Sequence, residues 1–163
     1  IMDVISIFEC VQLKIKSKLM MVGEGPEKKR AIQYVNEKGL EEQVLFLGNS
    51  NEIDKILCYS DLFLLPSEKE SFGLSALEAM AHGVPIISSD AGGIPEVNKH
   101  GKTGYLSKIG DTESMTLNAL SLLQNESLHK SFKKRAEQQA EKFNLESVVN
   151  QYESIYVDAI ETV

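Results

Sequence analysis

Cysteine, proline and basic charge are all scarce in this sequence, and each shortage excludes something. Cys10 and Cys58 stand far apart and form no Cys-x-x-Cys pair. A disulfide framework or thiolate metal site is therefore not expected, and both read as free thiols of a reducing, cytoplasmic compartment. Four prolines spread over 163 residues leave no proline-rich linker, and there are no internal repeats or low-complexity runs. The formal net charge of −7 speaks against nucleic acid as the main partner, because a phosphate backbone requires a basic face. An anionic membrane surface is disfavoured for the same reason. No apolar run approaches the ~20 residues of a membrane span. His82, His100 and His129 have no companions at metal-ligand spacing, so no metal is expected. What remains is one soluble globular domain, 42% hydrophobic and 25% charged, long enough for a core.

The chain is arranged around residues 62–78, LFLLPSEKESFGLSALE. Residues 62–65 form a short apolar run closed by Pro66, the pattern of a buried strand. A polar turn follows, and from Phe72-Gly73-Leu74 the apolar positions recur at helical spacing through Leu74, Leu77 and Ala81. Ser71 is placed to cap that helix. A strand feeding a helix through a tight turn leaves unpaired amides at the positive end of the helix dipole, which suits a phosphate. Glu70 stands in the turn, and Glu78 lies about one and a half turns inside the helix. Carboxylates repel phosphate but accept well from vicinal hydroxyls. A ligand with a phosphate centre and hydroxyl-rich groups on either side, such as a nucleotide-sugar, satisfies both features. A solvated loop glutamate plus a helix-face glutamate explains the same spacing, and on spacing alone that plainer reading stays open.

The same residues carry a resemblance. Glu70-Ser71-Phe72-Gly73-Leu74 through Glu78 resembles the Glu-x7-Glu signature of the retaining family-4 glycosyltransferases, which have the two-domain GT-B fold. The blocks at 22–26, 44–48, 83–85 and 92–97 resemble further family blocks in the same order, and the likeness covers nearly the whole chain. It implies that residues 1–163 are the C-terminal, donor-binding half of a GT-B protein, with a UDP-sugar donor and no metal. Residues 67–74 and 88–97 are similar to the branch that transfers N-acetylglucosamine from UDP-N-acetylglucosamine to L-malate in bacillithiol biosynthesis. The resemblance assigns Glu78 to the ribose hydroxyls and Glu70, as the catalytic carboxylate, to the hydroxyls of the transferred sugar. The amides of Phe72, Gly73 and Leu74, beside Ser71, would meet sugar and phosphate oxygens. Gly23, the loop carrying Asn49 and Ser50 against the base, and Gly92-Gly93 beside the sugar complete the implied donor-binding set. In the family, an Arg and a Lys that hold the diphosphate end the strand before the first helix, and an N-terminal domain binds the acceptor. Neither is in this sequence, so the expectation is an N-terminally truncated chain that binds UDP weakly and turns over nothing alone.

The rest of the sequence alternates. Residues 1–11 carry a helical apolar face, 18–22 and 44–47 read as strands, and 27–38 and 52–60 read as helices. Pro26 suits a first helical position, Gly39 a helix stop, and Ser50 or Asn51 a cap. A strand over 84–88, a short helix from Pro95, a strand over 103–106 and helices over 111–123, 127–143 and 145–160 follow. His82 reads as an exposed helix-end residue, and Asp111 as a cap. This rhythm predicts a Rossmann-like parallel sheet with helices on both faces, its strand-end loops lining one crevice. A missing central strand would leave a gap in that sheet with unpaired edges, and the Val148–Tyr152–Ile155–Tyr156 stripe of the last helix would lie partly bare. Two rivals share this fold: a nucleotide-sugar epimerase, and a non-catalytic nucleotide-binding module.

Overall fold

The computed structural model describes residues 1–161 and alternates helices and strands as the sequence pattern predicts. α1 (Met2–Gln12), β1 (Leu19–Val22), α2 (Lys28–Glu37), β2 (Val44–Gly48), α3 (Ile53–Cys58) and β3 (Phe63–Leu65) form the first half. α4 (Leu74–Ala81), β4 (Ile86–Ser89), α5 (Ile94–Val97) and β5 (Gly104–Ser107) follow, and α6 (Thr112–Leu123), α7 (Glu126–Ala140) and α8 (Leu145–Glu161) come last. A short 3-10 turn, Glu141–Phe143, interrupts the helix expected to run unbroken to Phe143. Pro26 also sits earlier than expected, in a turn closed by Lys28 N–H donating to the Gly25 carbonyl, two residues before α2 begins.

Every strand pair is parallel, but the expected sheet is divided. β1 pairs with β2, while β3, β4 and β5 pair in that order. β4 is buried at all four residues, as a central parallel strand covered on both faces must be. β1 and β3 are only half-buried, because each keeps one unpaired edge. Among the described residues no strand pairing joins the two parts.

Three apolar clusters hold the layers. On one face of the three-stranded sheet, Ala76, Ala79 and Met80 of α4 pack with Val84, Ile86 and Ala136 of α7. On the other face, Ile7 and Val11 of α1 pack with Ile87, Met115, Leu122 and Phe132. The third cluster joins Ile5 and Phe8, again from α1, to Ala31, Val35 and Val44 beside the two-stranded sheet. α1 therefore spans both sheets. Each fully buried Ile, Leu, Met or Phe in these clusters contributes about 1.5–3 kcal/mol relative to an exposed one.

Two polar contacts supplement the packing. Asn98 is fully buried beside β4. Its amide nitrogen donates to Ser88 Oγ at 2.9 Å and to the Tyr105 carbonyl at 3.3 Å, and its carbonyl oxygen accepts from Thr103 Oγ1 at 3.0 Å. This knot ties β4, β5 and the turn between α5 and β5. Glu9 of α1 accepts from Lys38 Nζ and from the Tyr34 hydroxyl, each at 2.9 Å, fastening α1 to α2. The Lys38 hydrogen bond, helped by Tyr34, holds the Glu9 carboxyl below its ordinary range. At the other end of the chain, α8 leaves Tyr152, Ile155, Tyr156 and Ile160 exposed, the bare stripe the sequence predicts.

Replacing Asn98 with Ala removes the partner of the buried Ser88 hydroxyl and one bond each from Thr103 Oγ1 and the Tyr105 carbonyl, so Asn98→Ala should lower the unfolding free energy by about 2–4 kcal/mol in chemical denaturation. Glu9 gives a pH dependence of defined sign. Its folded pKa lies below the unfolded one, so its contribution is present above the ordinary Glu value of about 4.3 and is lost as pH falls through the folded value. The stability difference between the native chain and Glu9→Gln should therefore shrink as denaturation is repeated at successively lower pH across that window.

Candidate functional site

The loop between β3 and α4 carries the first glutamate. Glu70 is half-buried, and its Oε1 accepts from the Ser71 N–H at 3.1 Å. Ser71 is exposed and does not cap the helix, contrary to the sequence expectation. The N-cap is Gly73, in a left-handed conformation (φ 92°, ψ 45°) open to glycine at little cost. That turn carries Ser71 upstream of the first helical residue, out of reach of the first-turn amides. The first intrahelical bond runs from Leu77 N–H to the Gly73 carbonyl at 3.0 Å, and no side chain caps α4. The amides before Leu77 are left for solvent or a ligand. Phe72 fixes the helix start from the other side, its ring edge-on to Phe143 at 5.6 Å between centroids.

Glu78 projects from the exposed face of α4, and its carboxylate makes no hydrogen bond or ion pair among the described residues. One turn on, His82 is half-buried rather than exposed: Nδ1 bonds the Glu78 carbonyl at 3.0 Å and Nε2 lies 3.4 Å from Asp54 Oδ1.

The loop after β4 lies directly against the Glu70 loop. Gly93 N–H donates to the Glu70 carbonyl at 3.4 Å, and Ser89 Oγ donates to the Ser67 carbonyl. A Cβ on Gly92 would stand 1.7 Å from the Glu70 carbonyl oxygen, and one on Gly93 would stand 2.4 Å from that of Ser71. Among the sequence-selected residues, Glu70, Ser71, Phe72, Gly73, Gly92 and Gly93 are thus brought into one place. Ser89 and Ser67 belong with them and were not selected. The available signal was a pair of serines, Ser88-Ser89, ending an apolar run at the edge where loops converge.

Gly23, Asn49 and Ser50 form a second group at the ends of β1 and β2. Gly23 N–H donates to the Gly48 carbonyl at 2.7 Å, and Ser50 Oγ accepts from Glu52 N–H at 3.1 Å. The serine closes a turn before α3 rather than capping it. A depression of about 330 Å³ lies beside this group, lined by Ile1, Met21, Gly23, Pro26 and Phe46. A larger one, about 440 Å³, lies at the far edge between His100, Lys108 and Asn118. Glu70 and Glu78 line neither, and no hydrogen bond among the described residues joins the two loop groups. The remaining histidines are committed locally: His100 Nδ1 accepts from Leu106 N–H at 3.1 Å, and His129 Nε2 lies 2.7 Å from the Asp61 carbonyl. Among the described residues no group of three or more His, Cys, Asp or Glu is placed to hold a metal ion, and no helix is long and apolar enough to cross a membrane.

Residues 2–139 match the family model described as glycosyl transferases group 1. N-acetyl-alpha-D-glucosaminyl L-malate synthase of Bacillus anthracis is 46% identical over 98% of this chain, which corresponds to 42% of that protein. Among solved structures, S. aureus TarM in complex with Fondaparinux, alpha-GlcNAc-glycerol and UDP is similar, with TM-score 0.87 and 27% identity over 94% of this chain and 32% of that one. The C-terminal domain of the group 1 glycosyl transferase LpcC from Francisella tularensis superposes with TM-score 0.78 and 27% identity, covering 86% of this chain and 77% of that one. The chain spans less than half the length of the Bacillus anthracis relative. With the α/β architecture and a family match over most of its residues, this chain belongs to the group 1 glycosyl transferases, as a C-terminal-type GT-B domain.

Proposed function

We propose that this chain binds the donor of a retaining glycosyltransferase, with UDP-N-acetylglucosamine as donor and L-malate as acceptor. The observation that carries the reading is the uncapped start of α4, flanked by Glu70 in the preceding loop and Glu78 on the helix. The left-handed turn at Gly73 leaves the amides of Gly73 and Leu74 for oxygens of the donor sugar and phosphate. Glu78, with no partner among the described residues, accepts from the ribose hydroxyls, and Glu70 holds hydroxyls of the transferred sugar. Ser71 and Phe72 belong to the same wall, Gly23, Asn49 and Ser50 to the base end, and Gly92 and Gly93 to the sugar end. Charge on the departing UDP is stabilised by oriented N–H donors rather than by a metal. The choice of N-acetylglucosamine and malate follows the 46% identity to the Bacillus anthracis synthase.

Titration of the chain with UDP by calorimetry should give measurable binding. Glu78→Ala should weaken it about tenfold or more, the effect of removing one charged acceptor from two hydroxyls. Equal affinity in the native and Glu78→Ala chains would remove Glu78 from the site. In the protein that carries this domain, UDP release from UDP-N-acetylglucosamine should depend on added malate. An altered sugar still attached to UDP, formed without malate, would instead identify an epimerase.

A further inference from the structure

The Glu70 loop has little structure of its own. Between Pro66 and Gly73 its internal hydrogen bond is the one from Ser71 N–H to Glu70 Oε1, and Glu68, Lys69 and Ser71 are exposed. Its other fastenings come from the end of β4 and the loop after it: Ser89 Oγ on the Ser67 carbonyl and Gly93 N–H on the Glu70 carbonyl. The two sides of this contact differ in rigidity. Ser89 and Ile94 are fully buried and Ala91 is 3% exposed, so the Ser89 side is anchored in the core. The exposed acid loop is the side that must yield. Gly92, at φ +50°, and Gly93 leave no room for a side chain: a Cβ would meet the Glu70 carbonyl oxygen at 1.7 Å, or the Ser71 carbonyl oxygen at 2.4 Å and Phe72 Cα at 3.0 Å. These glycines are filled against protein backbone, so their lack of a side chain serves the acid loop.

We propose that Ser89, Gly92 and Gly93 are positioning residues that clamp the backbone of residues 67–72 and thereby hold the Glu70 carboxylate at the start of α4. The inference rests on the reading of Glu70 as the group that grips the transferred sugar. The clamp acts through Glu70, so it governs the part of donor affinity that the sugar adds beyond UDP. It leaves the Glu78 end of the site untouched.

Two readouts on the 163-residue chain test this. The first needs no ligand. The Ser71 amide is bonded to the Glu70 carboxylate, so its hydrogen-exchange protection, read by NMR, reports whether that carboxylate is held in place. In Ser89→Ala and Gly92→Ala the protection of the Ser71 amide should fall. The second readout is the ratio of affinities for UDP-N-acetylglucosamine and UDP. It should fall about tenfold in Ser89→Ala and in Glu70→Ala, while affinity for UDP itself stays unchanged in Ser89→Ala. Ser89→Ala should cost nothing further in a Glu70→Ala background, since residues acting through one group are non-additive. Unchanged protection of the Ser71 amide in folded Ser89→Ala overturns the proposal, as does an equal loss for UDP and UDP-sugar. If that protection falls while the native chain binds UDP and UDP-N-acetylglucosamine alike, the clamp stands and the sugar-binding reading of Glu70 falls.

Discussion

Parallel pairing of β3 with β4 is the constraint on which the site depends. Parallel neighbours cannot be joined by a hairpin, so each strand passes its chain to a crossover from its C-terminal end. The register aligns Leu65 with Ser88, which sets the ends of the two strands side by side. The loop that begins at Pro66 and the loop that follows Ser89 then leave from one edge and have to share the same space. Two backbones can run that close only where one of them lacks side chains, and Gly92-Gly93 supply that stretch.

The same constraint explains how the two glutamates come to differ although the spacing presents them as a pair. Glu70 sits on the shared edge, half-buried, with a backbone amide already bonded to its carboxylate. Glu78 is on the outer surface of an eight-residue helix whose opposite face, Ala76, Ala79 and Met80, is packed away. One carboxylate is held by its loop and the other is free to turn toward what arrives. A ligand ordered at both would be fixed at one end by a preset group and at the other by a side chain that gives up rotamer freedom on binding, at a cost of about 0.5–1.5 kcal/mol.

Much of this was legible from sequence because the signals are local. Apolar runs bounded by Gly or Pro marked the strands at 19–22, 44–48 and 63–65, and Asp111 announced its helix through the Ser114 amide it accepts from. What failed to show is what depends on distant residues. Ser71 has the right chemistry for a cap, but the left-handed turn at Gly73 and the edge-on packing of Phe72 on Phe143, 71 positions further on, set where α4 begins. Ser89 was passed over because a serine at a strand end is ordinary; its partner, the Ser67 carbonyl, is 22 positions away. The division of the sheet is of the same kind, since an apolar run does not say which strand lies beside it.

That division raises the question of what keeps two small parallel sheets in one body, and α1 answers it. Its buried residues fall on two stripes: Ile5 with Phe8, and Ile7 with Val11. At about 100° per residue the centres of these stripes lie roughly 110° apart around the helix. A helix docked on one flat sheet needs only one such stripe. Two stripes at that angle make a wedge, one side on the β1–β2 cluster and the other on the β3–β4–β5 cluster. The open edges of β1 and β3 are kept short, at four and three residues, and a register shift between Met21 and Val22 disturbs β1 just where it nears the Gly23 turn. Short and irregular edges are poor templates for another strand, so the wedge carries the cohesion that continuous pairing supplies in an undivided sheet.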